Sequence, residues 1–367
     1  MRVFMLSDAD SIHTRRWVTS LSQRGCEICL YTLLRCDLSA YDGMAHVEVC
    51  SADIVIGESA SASQRLKDKL VYLMAIRGIR AKIREFHPDF LHAHYACSFG
   101  LLGALTGFHP YVLSVWGSDV YDYPRAGRIY RSLLKFSLRK ADRVLSTSHC
   151  MARETNRYTD KPITVTPFGV DMGRFAPVES LGKPADFVVG NVKALKECYG
   201  IDTLIRAFSI VVNHNPQLDI RLLIAGTGPD KEQLQQLCES LEVASKVDFL
   251  GYIQNEELPK LYAQFDVAVS LSRHESFGVV AVEAMSCQCP VVTSDAEGFC
   301  EVVEQGVTGF VVEKENPQAA ATAIQRFIDD RSLRERMGKA GRERVSRMYD
   351  WEKNVDLMMD VYRDICS

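Results

Sequence analysis

Two glutamates eight residues apart, Glu275 and Glu283, lie in the stretch SLSRHESFGVVAVEAMSCQCPVVTSD, whose pattern predicts strand, loop, helix and strand. Glu275 falls in the loop and Glu283 inside the helix. The first backbone N–H groups of such a helix, at Ser276, Phe277, Gly278 and Val279, have no acceptor within it, and together with the helix dipole they favour an anion such as a diphosphate. Gly278 lets the backbone come close to a ligand. Carboxylates accept hydrogen bonds from vicinal hydroxyls, so the two glutamates suit a sugar and a ribose beside the anion better than the anion itself. Taken alone, two glutamates at this spacing also occur as cap and surface charges. The order of elements around them is what favours a site.

Those elements need a scaffold larger than one core. At 367 residues the chain favours two domains, and 47% hydrophobic with 25% charged residues is the balance of a packed globular protein. No run approaches the roughly 20 apolar residues of a spanning helix, and MRVFMLSDAD turns acidic before a signal-peptide core could form, so a cytoplasmic location is expected. The 12 cysteines are scattered and read as reduced thiols; Cys26-x-x-Cys29 and Cys287-x-Cys289 lack the second pair a zinc site needs, and no metal is expected. The net charge of −4 divides into +6 over residues 1–175 and −10 over the remainder, so the two halves face different partners. No nucleic-acid partner is expected.

Short apolar runs alternate with helical patterns, the signature of βαβ units around parallel sheets. In the first half RVFMLS, CEICLYTLL, DFLHAH, YVLSVW, RVLSTS and ITVTPF read as strands, and TRRWVTSLSQRG as a helix stopped by Gly25. The aperiodic APVESLGKPAD reads as a linker. Alternation then restarts with strands DFVVGNV, IRLLIAG, VDFLG, VAVSLS and PVVTSD between helices. The expected domains are 1–175, 176–350 and a C-terminal helix, 351–367, that packs back on the first, with Trp351, Val355, Met358, Met359 and Tyr362 as its apolar stripe. Ligands of such sheets bind at the carboxyl ends of the strands, around a central cleft.

The segment from Glu275 to Glu283 resembles the E-x7-E motif of family 4 retaining glycosyltransferases. VTPFGVDMGRFAP, LLIAGTGPDKEQL and VDFLGYI resemble further segments of that family in the same order, over nearly the whole chain. The resemblance implies an α/β fold of GT-B type, two Rossmann-like doubly wound domains facing a central cleft, with the acceptor on the first and a nucleotide sugar on the second. It makes Glu283 similar to the glutamate that holds the donor ribose and Glu275 to the one that contacts the transferred sugar. Gly251, Tyr252 and Ile253 stand where that family meets the nucleobase, although an ordinary strand end fits them equally. A metal-independent enzyme of this type needs a cation against the leaving diphosphate. Lys193 and Lys196 in GNVKALKECYGID are the candidates, since the places where the family has Arg and Lys hold Asn191 and Cys198.

In the first domain, LHAHYACSFGLLGAL puts His94 and Tyr95 at the mouth of the cleft. YVLSVWGSDVYDYP resembles the segment before the family's acceptor loop, with Trp116 where a His is common and Asp119 as the remaining polar group; Trp116 offers either an aromatic face to a sugar or a core filler. The Gly-Gly loop of many relatives is replaced by SDADSIHTRRW, in which His13 and Thr14 approach the donor phosphates. Arg128, Arg131, Lys135 and Arg139 make one basic helix face, and SQRLKDKLVYLMAIRGIRAKIREF is a second basic helix; either rests on anionic lipid or is solvated. The resemblance thus implies sugar transfer from a UDP- or GDP-sugar to a saccharide or lipid-linked saccharide, in bacterial surface polysaccharide or glycoconjugate biosynthesis, with no cofactor. A sugar phosphorylase, an epimerase-like enzyme and a catalytically silent sugar-nucleotide binder are the alternatives. A dehydrogenase is disfavoured because Gly226-Thr-Gly228-Pro lacks the third glycine and the later ribose carboxylate of the dinucleotide fingerprint.

Overall fold

A computed structural model of the protein describes residues 1–54, 75–178 and 182–367. The chain forms two compact units, Met1–Pro167 with Val355–Ser367, and Phe168–Asn354.

The first unit is built on β1 (Arg2–Leu6), β2 (Glu27–Leu34), β3 (Val47–Ile54), β4 (Phe90–His94), β5 (Tyr111–Val115), β6 (Arg143–Ser146) and β7 (Ile163–Val165). All pair in parallel, in the order β3-β2-β1-β4-β5-β6-β7. β4 and β5 are buried at every residue, as strands covered on both faces must be, which is why they appear in the sequence as apolar runs. The sequence reading missed β3, an edge strand half-exposed along most of its length that carries no such run. Strand order reverses between β1 and β4, so a crevice opens at their carboxyl ends.

The expected stripe of the helix Trp351–Cys366 is buried at all five positions. From Val355 onward this helix belongs to the first unit. There the Tyr362 ring lies 4.6 Å from that of Phe90, and Arg24 and Arg143 pair with Asp356 and Asp364 at 2.8 and 3.1 Å.

The second unit contains β8 (Phe187–Val192), β9 (Ile220–Ala225), β10 (Val247–Gly251), β11 (Val267–Ser270), β12 (Val291–Ser294) and β13 (Gly309–Val312), parallel in the order β10-β9-β8-β11-β12-β13. The helix Ile201–His214 buries Ile201, Leu204, Ile205, Phe208 and Val211, the spacing of one helix face, in the core of this unit. Order reverses between β8 and β11, so a crevice opens at the loops that follow those two strands. Among the described residues no helix is long and apolar enough to cross a membrane. Residues 63–74 of the second basic stretch lie outside the described residues, and 75–86 are helical.

Candidate functional site

In the second unit β11 runs into the loop 271–278 and then the helix Val279–Ser286. Gly278 caps that helix with φ +100°, and a Cβ there would lie 2.7 Å from the Phe299 ring, so the turn requires glycine. Gly278 O accepts from the N–H groups of Ala281 and Val282, leaving those of Val279 and Val280 without an acceptor in the helix. Phe277 anchors the loop from below, its buried ring edge-on to Phe168 and Tyr349. Gly298 donates its N–H to Glu275 O at 3.0 Å and comes so close that a Cβ would clash with the Phe277 nitrogen. The backbone on both sides of Glu275 is therefore fixed.

Lys193 leaves the end of β8 with its N–H on Ala225 O at 2.9 Å. Its ammonium sits 2.7 Å from Glu275 Oε2, both side chains being only 14% and 11% exposed, and 4.6 Å from the centre of the Tyr199 ring. Gly226, at φ +146°, backs this loop; a Cβ there would come within 1.9 Å of Lys193 O. The Gly226-Thr-Gly228 turn thus supports the lysine loop. Arg273, two residues before Glu275, joins its segment to the same loop by a backbone bond from its N–H to Cys198 O, and its guanidinium makes bonds of 2.8 and 3.0 Å to Asp202 and 3.0 Å to Glu315. Burial pushes the Asp202 carboxyl up, but the Arg273 bonds outweigh it and hold the group below its usual range. Of the two lysines proposed from sequence, the structure brings Lys193 to Glu275, whereas Lys196 is exposed and makes no ion pair among the described residues. Asn191 is a sheet strut, buried and donating to Val269 O at 2.8 Å.

Glu283 is half-buried and accepts a hydrogen bond of 3.0 Å from the Tyr262 hydroxyl. Burial, then the Glu283 charge, push the Tyr262 phenol well up, so it stays a donor. Gly251, at φ +75°, accepts from Gly226 N–H at 2.7 Å; Tyr252 beside it is 68% exposed and Ile253 half-buried.

In the first unit His94, Tyr95 and Trp116 line one cavity of about 330 Å³ with Ser7, Asp8 and Phe99, at the carboxyl ends of β1, β4 and β5. The His94 ring stacks on Trp116 at 4.5 Å, and its Nδ1 shares a hydrogen bond of 2.9 Å with Ser7 Oγ. Burial holds the His94 imidazole well below its usual range, with the neighbouring His92 and His13 adding to the effect. Tyr95 adopts φ +73°, a strained conformation for a bulky residue, and its hydroxyl is hydrogen-bonded to Ser118 Oγ. His13 is half-buried with its ring 6.0 Å from Trp116, and burial, then Arg16, push its pKa down to about 4.

Two expectations are corrected. Asp119 is fully buried, and its carboxylate accepts from the N–H groups of Ala96, Trp116 and Gly117 at 2.7–3.3 Å. It holds the loop that carries Trp116 and has no face left for a substrate. The Thr14 side chain is likewise closed off, fully buried with its hydroxyl 2.7 Å from Ser7 Oγ. Arg273, Asp202 and Tyr262 escaped the sequence reading; the proximity of Arg273 to Glu275 in the chain was the available signal.

The family described as glycosyl transferases group 1 matches residues 176–344, and that described as glycosyl transferase 4-like matches residues 2–148. A D-inositol 3-phosphate glycosyltransferase of Streptomyces scabiei is 31% identical over 313 residues, 76% of this chain and 68% of the relative. Several further curated relatives are matched over only 41–56% of their own length. Among solved structures, sucrose-phosphate synthase from Thermosynechococcus elongatus superposes with a TM-score of 0.83 at 22% identity, over 99% of this chain and 98% of that one. HepE of Anabaena, solved with UDP and glucose, gives 0.79 at 20% identity, over 99% and 100%.

Proposed function

This chain belongs to the group 1, family 4 type glycosyltransferases of GT-B fold, and from that premise we propose that it moves a sugar from a UDP- or GDP-sugar to a saccharide or lipid-linked saccharide, with retention and without a metal. The observation that carries this reading is the Lys193–Glu275 ion pair beside the N-terminus of the helix Val279–Ser286. The first-turn N–H groups, at the positive end of the helix dipole, receive the diphosphate. The Lys193 ammonium is held where it offsets the negative charge that grows on the leaving diphosphate, the part a metal ion would otherwise take. Glu275 accepts from hydroxyls of the transferred sugar, and because it already holds Lys193 it registers the sugar against the cation. Glu283, oriented by Tyr262, accepts from the ribose hydroxyls. The base lies along Gly251, Tyr252 and Ile253.

The cavity around Trp116, His94 and Tyr95 takes the acceptor, with the indole as a platform for a sugar ring. Attack and departure on one face of the donor sugar are organised by positioning and electrostatics, with no protein base assigned. Surface polysaccharide or glycoconjugate assembly is the setting we propose, and the exposed Arg128, Arg131, Lys135 and Arg139, with Ile129 75% exposed among them, support peripheral contact with anionic membrane. The test is to incubate the protein with UDP- and GDP-sugars and saccharide acceptors and to read nucleoside diphosphate release and the anomeric configuration of the product by NMR. Acceptor-dependent release with a retained anomer is expected; release that depends on inorganic phosphate, or an inverted product, contradicts the proposal.

A further inference from the structure

On the first unit, separate from the cavity around Trp116, a second cavity of about 250 Å³ is lined by Arg125, Arg131, Lys135, Glu154, Arg157 and Tyr158. Four cations face it against one carboxylate. Glu154 is nearly buried and both its oxygens are engaged: Tyr158 Oη donates to Oε1 at 3.3 Å and Arg157 to Oε2 at 3.0 Å, with Arg125 at 3.8 Å from Oε1. This carboxylate therefore holds the Arg157 guanidinium and the Tyr158 phenol by hydrogen bonds, with Arg125 within ion-pair distance. Burial, then the Glu154 charge, push the Tyr158 phenol up, so it remains a neutral donor.

The helix Arg128–Lys140 contributes Arg131 and Lys135, four residues apart and so on one face, to the lining of the same space. Neither makes an ion pair among the described residues. Like charges at this spacing repel, and nothing on the helix relieves them. A single bound anion with several acceptor oxygens would relieve the repulsion between Arg131 and Lys135, and an arginine fork is suited to phosphate oxygens. The cavity also shares Lys135 and Tyr158 with a larger groove of about 740 Å³ lined by Phe136, Arg139 and Lys161, so whatever carries the anion has room to continue along the surface.

We propose that the cavity formed by Arg125, Arg131, Lys135 and Arg157 is a phosphate-binding pocket, taking a phosphate monoester or diphosphate group of a ligand that extends into the adjoining groove. The pocket lies wholly within the first unit and does not depend on the assignment of the donor site. Its phosphate is either on a soluble molecule or on a lipid headgroup.

Site-resolved lysine acetylation, read by mass spectrometry at low salt, tests this on the full chain. Inorganic phosphate, pyrophosphate, and vesicles with or without phosphatidic acid, whose headgroup is a phosphate monoester, are the probes; Lys140, exposed on the same helix and outside the pocket, is the internal reference. Protection of Lys135 at least fivefold greater than that of Lys140 is expected, and Arg131→Glu should reduce it at least fivefold. Protection by phosphate or pyrophosphate without protection by anionic vesicles identifies a soluble source; protection by anionic vesicles beyond that by neutral ones identifies a lipid source. Equal labelling of Lys135 under every condition, or equal protection of Lys135 and Lys140, overturns the pocket and leaves a general basic face.

Discussion

Replacing Lys193 with methionine removes an ammonium 2.7 Å from Glu275 in a place where both side chains are nearly closed to solvent. At an effective dielectric of about 20, two unit charges about 4 Å apart attract by about 4 kcal/mol, and the cost of desolvating them cancels much of it. Losing one partner of a fully buried pair costs about 3–5 kcal/mol. Since both groups here keep a solvent edge, Lys193→Met and Glu275→Gln should each lower stability by about 2 kcal/mol in urea titrations. The double variant, with neither charge left unpaired, should recover most of that loss. Turnover separates a supporting pair from a catalytic one. Removal of a group that stabilises transition-state charge costs about 10²–10³ in kcat. Each single variant should lose that much in nucleoside diphosphate release, and the double variant should stay as slow although its stability returns. Recovery of turnover together with stability, to within about tenfold of the parent, would show that the pair only holds the loop and would refute the role given to Lys193.

Tyr262→Phe removes the hydroxyl that orients Glu283, and should raise the donor KM several-fold with kcat nearly unchanged; an unchanged KM would detach Glu283 from donor binding. Gly278→Ala forces a Cβ against Phe299 at a residue with φ +100°, so a loss of about 2 kcal/mol or more is expected, read as a lower urea midpoint with an unchanged slope. Burial pushes His92 down to about 3, and His94 shifts the same way, whereas both titrate near 6.5 when unfolded. Their contribution is fully present above pH about 6.5 and is lost as pH falls below it, at up to about 1.4 kcal/mol per unit for each histidine. Hydrogen exchange of β4 and β5 should therefore report a first unit about 1–3 kcal/mol less stable at pH 5.5 than at pH 7.5, and a flat profile would contradict neutral burial of these rings.

The strands legible in the sequence are those whose burial writes an apolar run, such as β4, β5 and β8. β3 escaped because an edge strand with half-exposed residues has no such run, and β13, also an edge strand, is half-exposed over its last two residues. The Glu275–Glu283 segment was legible for a similar reason, since the change from strand run to helix marks the turn between them. Choosing between Lys193 and Lys196 was beyond the sequence, because a loop has no period. The choice is made by non-local contacts, the bond to Ala225 O and the glycine at 226 that clears space behind Lys193. Asp119 misled for the same reason: a carboxylate at the start of a helix reads alike whether it faces a ligand or the backbone, and the N–H of Ala96 that claims it lies 23 residues away.

Binding of a nucleoside diphosphate at the Lys193–Glu275–Glu283 site is tested most directly by calorimetric titration of UDP and GDP into the parent chain and Glu283→Ala. At least one of the two should bind the parent saturably, one per chain, and lose tenfold or more in affinity in the variant, about 1.4 kcal/mol or more. Absence of binding by both nucleotides, or equal affinity for parent and variant, would contradict the account.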